Sequence, residues 1–267
     1  MNRIDARFRS LRAVGQKGFI AYICAGDPNL KTTAALAREF ERVGVDVLEL
    51  GVPFSDPLAD GVVNQLAAER ALQSGTTLDG VLDTVARLRR EGCQIPIVFY
   101  IYFNLIHHHG VDRFGREAAA AGVDGVLALD LPPEEADGYE QAVKQNGLCP
   151  IYLIAPTTPE KRIAGICRHA SGFLYYVSRE GVTGMQKQVS VSMSPMVEKI
   201  RRHTTLPIAI GFGISNPEQA RQVAAHGDAV VVGSAIVNQI ARGHSARDVA
   251  RFVAPMVKAV KHAHPRG

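Results

Sequence analysis

One pattern constrains the fold of this chain more than any other: a short apolar run followed by a longer stretch with helical spacing occurs eight times. The first three repeats read GFIAYICAG then LKTTAALAREFERVG, VDVLELGVP then VVNQLAAERALQSG, and IPIVFYIY then VDRFGREAAAAG. Strands that are apolar on both faces and are linked by helical crossovers belong in a parallel sheet covered by helices. Eight such units predict an α/β chain folded as a single (β/α)8 barrel, the TIM barrel.

Length and linker composition favour a single barrel domain that spans residues 1–267. The opening segment MNRIDARFRSLRAVGQ is charged and helical in pattern, which predicts an extra N-terminal helix. With 267 residues and 46% apolar content, the chain is also long enough for a doubly wound open sheet or two small domains. Against these alternatives, no GxGxxG follows the first apolar run, and no Pro-, Gly- or Ser-rich linker divides the chain.

Charge and cysteine content argue against several functional classes. The formal net charge is +4, with Lys and Arg scattered among acids, whereas a nucleic-acid surface requires a basic stripe. The four cysteines are far apart and form no CxxC pair, which is typical of buried thiols in a reducing cytosol. No apolar run suits a signal peptide or approaches the ~20 residues of a membrane span, so we expect a soluble cytoplasmic protein.

Three adjacent histidines, residues 107–109, follow the third apolar run. Adjacent side chains point in different directions and lack the helical spacing of metal ligands. The pattern therefore predicts a solvated or partner-facing loop, and we expect no metal site.

Polar and glycine-rich residues gather where the predicted strands end. In a barrel of this kind the active site is built from the loops at the carboxyl ends of the strands, so polar and glycine residues there are candidates for the active site. These strand ends are Gly26 and Asp27, Glu49 to Gly61, Tyr102 to Asn104, Asp130, Pro156 to Thr158, Ser178 to Gly184, Gly211 to Gly213, and Gly233 with Ser234.

The segment ELGVPFSDPLADG, residues 49–61, carries three carboxylates. Strand side chains alternate between faces, so Glu49 shares a face with Val45 and Val47 and points into the barrel if Val47 does. Burial at the mouth of an apolar barrel raises the pKa of a glutamate and suits it to general acid–base catalysis. The alternative is a glutamate in a salt bridge. For Asp56 and Asp60, which lie among Pro57 and Gly61, spacing alone favours turn formation through their own backbone.

Glycines at the last two strand ends predict a phosphate site. The segments IGFGIS and VVVGSAIV place Gly213, Gly233 and Ser234 where loops seven and eight of such barrels frequently bind phosphate through backbone N–H groups. The alternative is that these glycines only form tight turns. The loop SREGVTGMQKQVSVS after the sixth strand is long and rich in small polar residues, as expected of a mobile lid.

Several stretches, in the same order over nearly the whole chain, resemble the tryptophan synthase alpha subunit family. They are AGDP at 25–28, LELGVPFSDPLADG at 48–61, APTTP at 155–159, GVTG at 181–184, GFGIS at 211–215 and GSAIV at 233–237. The resemblance implies a carbon–carbon lyase of tryptophan biosynthesis, which cleaves indole-3-glycerol phosphate to indole and glyceraldehyde 3-phosphate by a retro-aldol reaction.

The resemblance also implies roles for individual residues. Glu49 matches the catalytic glutamate, and Asp60 matches the acceptor of the indole N–H. Tyr175 matches a residue near the reacting side chain, and Thr183 matches a lid residue that closes toward Asp60. The remaining matches are the phosphate cradle of Gly184, Gly213, Gly233 and Ser234, and the indole-packing residues Leu127 and Phe212.

The resemblance further implies a partner. Asp56 and Pro57 match the face that contacts a beta subunit, which would receive indole within an alpha2-beta2 heterotetramer. Pyridoxal phosphate is expected in that beta subunit and no cofactor in this chain. Two departures stand out: Val62 replaces the usual proline, which is expected to loosen the exit of the loop into its helix, and Glu180 adds a negative charge to the predicted lid.

Three other functions remain open. A free-standing lyase would release indole without a partner. A regulatory or binding subunit would sense phosphate ligands, although intact Glu49 and Asp60 argue against it. A different phosphate-handling barrel enzyme, such as an isomerase, would account for Gly213 and Gly233 but leaves the carboxylate segment unexplained.

Overall fold

The structure, a computed structural model, describes residues 1–177 and 186–263, with side chains described for 1–177 and 193–263. The strands are β1 (Gly18–Cys24), β2 (Val47–Gly51), β3 (Ile97–Ile101), β4 (Gly125–Ala128), β5 (Cys149–Pro150), β6 (Tyr152–Ile154), β7 (Leu174–Val177), β8 (Ile208–Gly211) and β9 (Ala229–Val232). The first helices are α1 (Arg3–Ala13), α2 (Leu30–Arg42), α3 (Val62–Gln73), α4 (Leu78–Arg90), α5 (Phe103–His109) and α6 (Val111–Ala121). They are followed by a 3₁₀ helix (Pro133–Glu135), α7 (Asp137–Gln145), α8 (Glu160–His169), α9 (Gln186–Arg201), α10 (Pro217–Ala224), α11 (Ser234–Ala241) and α12 (Ala246–Lys261).

All strand pairs are parallel and form a barrel. The hydrogen-bonded order is β5-β4-β3-β2-β1-β9-β8-β7-β6, in which β1 pairs with both β2 and β9. The order has two ends only because the fifth strand of the barrel is divided at Ile151: β5 pairs with β4, and β6 pairs with β7. Since β5 and β6 are consecutive along the chain, the sheet closes on itself. The predicted (β/α)8 barrel is confirmed.

Side-chain alternation separates two apolar layers. Inward-facing residues fill the barrel, among them Ile20, Val47, Val98, Leu127 and Phe173. Outward-facing strand residues pack under the surrounding helices, and this outer core is much larger; its members include Phe19, Leu36, Phe40, Leu48, Val85, Phe99, Phe114, Ile208 and Val230. The near-continuous burial of strands such as β1 follows from this two-sided packing.

Helix α1 closes the amino end of the barrel, as the sequence predicts an extra N-terminal helix. Its buried residues are Ile4, Phe8 and Leu11, and the ring of Phe8 lies 5.8 Å, centroid to centroid, from that of Phe173. Arg3 and Arg7 bind carboxylates just ahead of β4 and β2, Asp124 at 3.0 Å and Asp46 at 2.7 Å. With this end filled, the open end of the barrel is the one where strands finish.

Two connections between strands, and the segment after β9, contain more helix than the sequence pattern predicts. Both α3 and α4 lie between β2 and β3, and both α5 and α6 lie between β3 and β4. The segment GSAIV, grouped with the last strand from its β-branched residues, belongs to a helix instead: β9 ends at Val232, and α11 begins at Ser234. Its buried residues Ile236, Val237 and Ile240 have helical spacing, which the β-branched composition hides.

The histidine segment is also helical. Residues 107–109 are the last turn of α5, so the prediction of a loop is wrong there. Tertiary packing explains the difference, because Ile106 in the same short helix is fully buried against the outer core. Among the described helices, none combines the length and the apolar character needed to cross a membrane.

Candidate active site

A cavity of about 810 Å³ lies at the carboxyl ends of the strands. Its wall includes Tyr100 and Tyr175 from β3 and β7, and Ala59 from the segment after β2. The loops after β4 and β6 supply much of the rest: Leu129, Asp130, Leu131, Pro132, Pro133, Ala155, Pro156, Thr157 and Thr158. The location agrees with the rule that barrel active sites lie at this face.

Glu49 is buried inside the barrel on β2. It is 1% exposed, and both of its carboxylate oxygens are buried with no hydrogen-bond partner among the described side chains and backbone. Burial, and secondarily the negative charge of Asp60, raises the pKa of Glu49 to about 8. The salt bridge that the sequence left open as an alternative is therefore not formed by the described residues, and the carboxyl holds its proton near neutral pH.

This burial predicts an unusual dependence of stability on pH. The folded-state pKa of Glu49 lies above its ordinary value, so its contribution to stability is present at acidic pH and is lost as pH rises toward 8. Relative to wild type, Glu49→Gln should gain about 1.4 kcal/mol in the free energy of unfolding per pH unit between roughly pH 5 and 8. Urea unfolding of both proteins at pH 5.5, 6.5 and 7.5 measures the difference.

The control for this experiment is Glu69→Gln, an exposed glutamate on α3. Its difference from wild type should stay constant across the same pH range. A constant difference for Glu49→Gln as well would contradict the buried, protonated state.

Asp60 lies close to Glu49 and is held by tyrosines. Tyr100 Oη donates to Asp60 Oδ1 and Tyr102 Oη donates to Asp60 Oδ2, each at 2.9 Å, while Asn64 Nδ2 is 3.4 Å from Oδ1. The turn itself is made by the backbone, where Asp60 N–H donates to the carbonyl of Pro57 at 3.0 Å. The expectation that the Asp60 side chain bonds its own backbone is therefore wrong, because two phenol donors occupy its oxygens.

Asp56 differs from Asp60 in its surroundings. It is exposed, and its Oδ2 accepts a 2.6 Å hydrogen bond from the neighbouring hydroxyl of Ser55, not from its own backbone. Leu58, two residues further on, is 92% exposed, and Pro57 is half-buried. These residues form an exposed loop outside the cavity, and their predicted contact with a partner stays a prediction.

Four tyrosines surround the two carboxylates; the sequence assigned a site role only to Tyr175 and named Tyr102 only as the start of a strand-end segment. Tyr22, Tyr100 and Tyr102 could have been found from the alternation in IAYIC and FYIY, which directs them inward at strand ends. Burial raises the pKa of Tyr22, Tyr100 and Tyr175 well above the usual value, and the charges of Glu49 and Asp60 add to the effect. These phenols therefore keep their protons near neutral pH and cannot act as bases, and Tyr100 donates a hydrogen bond to Asp60.

Two glycines make room for the tyrosine rings. A Cβ on Gly211 would lie 2.7 Å from a ring carbon of Tyr175, and a Cβ on Gly51 would lie 2.6 Å from the hydroxyl of Tyr22. Both approaches are shorter than real Cβ contacts. The tyrosines can thus occupy the mouth of the barrel only because the neighbouring strands end in glycine.

The predicted phosphate residues lie at the ends of β8 and β9. Gly213 is exposed with a φ of +25° and open space around it. Gly233 lies against the ring of Tyr22, and Ser234, exposed, is the first residue of α11, whose first turn has no side-chain cap. Uncapped N–H groups at a helix start suit an anion.

The remaining predicted site residues are placed elsewhere. Leu127 is 1% exposed in the barrel interior beside Val47 and Val98, below the cavity, whose apolar wall contains Leu129 and Leu153 instead. Phe212 packs against the outer core. The structure brings neither side chain to the cavity wall, and their packing on an indole ring stays a prediction. Thr183 and Gly184, with Glu180 and the rest of residues 178–185 of the predicted lid, lie outside the described residues. The remaining lid residues, 186–192, belong to α9, so the prediction of a loop is wrong there.

Val62 occupies the start of α3. It is 69% exposed as the first residue of the helix, and the preceding residue, Gly61, supplies no side-chain cap. The helix nevertheless begins directly after the carboxylate loop, and Gln65 Nε2 bonds back to the carbonyl of Asp60 at 2.9 Å. This contact ties the loop to the first turn of the helix.

A second group of titratable side chains lies outside the cavity. His109 Nε2 is 2.6 Å from Glu117, and His109 Nδ1 is 3.8 Å from Asp79, so one ligand atom from each residue falls within 4.8 Å of the others. Arg113 also pairs with Glu117 at 2.8 Å. Since cationic and histidine partners already neutralise the carboxylate of Glu117, we interpret this group as an ion-pair cluster that joins α4, α5 and α6.

Comparison with known proteins gives one consistent family. Residues 8–264 match the family model described as tryptophan synthase alpha chain. A protein of that name from Opitutus terrae is 56% identical over 240 residues, which cover 90% of this chain and 90% of the relative. Another from Geobacter sulfurreducens is 49% identical and covers 98% of this chain and 99% of its own length.

Solved structures agree with the sequence relatives. The crystal structure of tryptophan synthase subunit alpha from Legionella pneumophila has a TM-score of 0.90 at 38% identity, and the match covers 97% of this chain and 98% of that one. Family model, relatives and solved fold all extend over nearly the whole length, including the carboxylate segment and the glycine loops. The chain belongs to the tryptophan synthase alpha chain family.

Proposed function

We propose that this chain is a carbon–carbon lyase that cleaves indole-3-glycerol phosphate to indole and glyceraldehyde 3-phosphate in tryptophan synthesis. One observation carries the proposal: a buried glutamate, Glu49, with no hydrogen-bond partner among the described residues, stands beside an aspartate, Asp60, whose oxygens accept two tyrosine hydrogen bonds. Two nearby carboxyl groups with such different surroundings can take different roles: Glu49 is proposed to donate a proton, and Asp60 is proposed to act as the fixed anion. Membership of the family supports the same reaction.

The first proposed step is protonation of the ring. Glu49, protonated at neutral pH because of its burial, delivers its proton to C3 of the indole, the carbon that bears the glycerol phosphate chain. Positive charge then develops on the ring nitrogen. The Asp60 carboxylate accepts the N–H of that nitrogen and stabilises the charge.

The second proposed step breaks the carbon–carbon bond. Glu49, now a carboxylate, removes the proton from the side-chain hydroxyl next to the ring. The electrons of that O–H bond form the aldehyde carbonyl, and the electrons of the breaking C–C bond return to the ring and restore neutral indole. Glu49 ends the cycle protonated, so atoms and charge balance. Tyr175, whose phenol keeps its proton, is proposed to donate to the reacting side chain.

The proposed substrate spans the barrel mouth. Its phosphate would bind the backbone N–H groups at Gly213, Gly233 and Ser234, where the start of α11 offers the positive end of a helix. Tyr22 packs on Gly233 and also faces Gly51 on β2, so one ring joins the phosphate loop to the carboxylate strand.

We further propose that the reaction needs no cofactor in this chain and that the chain works with a beta subunit as an alpha2-beta2 heterotetramer. The indole ring itself accepts the electrons of the breaking bond, so two proton transfers suffice. Relatives named as alpha chains imply a companion chain, and the exposed loop of Asp56, Pro57 and Leu58 is the proposed contact. Pyridoxal phosphate is assigned to the beta subunit, and the complex to the cytoplasm.

The proposed acid role of Glu49 predicts a pH profile. The reaction starts from the protonated carboxyl, and the pKa of Glu49 is raised to about 8, so kcat/KM should fall above that pH by about tenfold per unit. Initial rates of indole release from pH 6 to 10 measure it. A profile that remains flat beyond pH 9 would be inconsistent with Glu49 as the starting acid.

Indole release from indole-3-glycerol phosphate by the purified chain tests the function directly. The assay is run with the chain alone and again with a titration of beta subunit. Slow release that accelerates on titration supports the complex-bound lyase, whereas fast release by the chain alone supports the free-standing enzyme. Absence of indole under both conditions would rule out the lyase.

A further inference from the structure

Tyr100 is the buried phenol that joins the wall of the cavity to Asp60. Its ring stands on β3, lines the cavity, and meets the ring of Tyr22 edge-on at a centroid distance of 5.0 Å. Its hydroxyl donates to Asp60 Oδ1 at 2.9 Å across 40 residues of sequence. Asp60, by contrast, lies in a loop whose residues 55–61 are exposed or half-buried, so packing of the loop itself does little to fix the carboxylate.

We propose that Tyr100 is a positioning residue: its hydrogen bond orients the Asp60 carboxylate so that a free lone pair points toward the substrate ring nitrogen. The inference rests on the proposed function. Each carboxylate oxygen has about two acceptor positions, so one hydrogen bond to each oxygen leaves room for the indole N–H.

The surroundings explain why the donor matters. Glu49 from β2, Tyr22 from β1, Tyr175 from β7 and Asn64 from α3 face the same region as Asp60. Two close carboxylates resist simultaneous ionisation. Phenol donors reach Asp60, whereas both oxygens of Glu49 lack a donor among the described residues. The two carboxyl groups therefore differ in their surroundings, and only the orientation of Asp60 depends on a tyrosine hydroxyl.

Tyr102 has a different task, although it contacts the same carboxylate. Its hydroxyl accepts a 2.9 Å hydrogen bond from the backbone N–H of Ala59 while it donates to Asp60, and its ring stacks on Phe54 at 5.0 Å. Removing that hydroxyl disturbs the loop backbone as well as the carboxylate. Tyr100 is therefore the residue at which orientation of Asp60 can be changed with the least effect on the loop.

The test is Tyr100→Phe, which keeps the ring and removes only the donor. We expect kcat/KM for indole release to fall about 10- to 100-fold, the usual effect of losing a hydrogen bond to a charged group. The loss should be mostly in kcat, because the ring still lines the cavity. In an Asp60→Asn background, Tyr100→Phe should cause less than about a twofold further loss, since the two residues act as one unit.

Tyr139→Phe is the matched control. Tyr139 is a buried tyrosine of α7 whose hydroxyl donates to a backbone carbonyl, that of Val126, and it is absent from the cavity wall. This variant should keep wild-type kcat/KM, and thermal unfolding of both variants reports any general loss of stability.

The outcomes separate this inference from the proposed function. A wild-type chain that releases no indole, alone or with beta subunit, overturns the proposed function. An active wild type with Tyr100→Phe within twofold of it overturns the positioning role alone. Full additivity of Tyr100→Phe and Asp60→Asn also overturns that role, because an effect of the hydroxyl that does not act through Asp60 would add to the loss from Asp60→Asn.

Discussion

Replacing Glu49 by glutamine is expected to lower kcat for indole release by about a thousandfold to ten-thousandfold, the upper part of the range for general acid–base catalysis. Glutamine keeps the shape of the side chain but can neither donate a proton to the ring nor take one from the hydroxyl. Both proposed proton transfers depend on the same carboxyl group, so the glutamine variant can perform neither of them. Substrate binding should be largely intact, because the phosphate and the ring nitrogen are bound elsewhere.

The measurement pairs steady-state indole release with substrate binding to Glu49→Gln by calorimetry, which the slow turnover permits. Glu69→Gln, the exposed glutamate used in the stability experiment, should retain wild-type activity. Turnover of Glu49→Gln within about tenfold of wild type would disprove the proposed acid–base role.

Replacing Asp60 by asparagine is expected to lower kcat by about 100- to 1,000-fold, the usual effect of removing one group that stabilises a developing charge. The amide can still accept from one tyrosine and donate to the other, so the loop geometry should persist. The negative charge opposite the ring nitrogen is lost. A rate within a few-fold of wild type would show that the ring N–H needs no charged acceptor.

Asp83→Asn provides the control for this change, because Asp83 is an exposed aspartate on α4 that undergoes the same chemical substitution. It should leave kcat and KM at wild-type values. The pair of variants separates the local charge at the ring nitrogen from the general effect of removing one negative charge from the protein.

The barrel and the placement of Glu49 were predictable because both depend on local periodicity. Alternation of side chains along a strand fixes which residues face inward, and Val47 with Glu49 illustrates it. The contact of Tyr100 with Asp60 was not predictable in the same way, since it joins residues 40 positions apart on different elements. Propensity rules applied to Asp60 alone favoured a hydrogen bond between its side chain and its own backbone. In the structure its oxygens accept instead from the hydroxyls of Tyr100 and Tyr102.

Composition misled the prediction where it hid periodicity. The segment after Gly233 contains several β-branched residues and therefore resembles a strand. Its buried residues nevertheless have the spacing of a helix, α11. The level of Leu127 inside the barrel was similarly unpredictable. Side-chain alternation predicts that it faces inward, but only the closed barrel shows that it lies one layer below Leu129, which lines the cavity.

The way α1 closes the barrel also sets an order of events during synthesis. Helix α1 leaves the ribosome well before its partners Asp124 and Phe173 are made. At about 5 to 20 residues per second, the apolar stripe of Ile4 and Phe8 waits roughly 10 to 35 seconds for Phe173. Helix α1 is thus made early and reaches its final place late, and a nascent chain that does not yet include Phe173 cannot complete this end of the barrel.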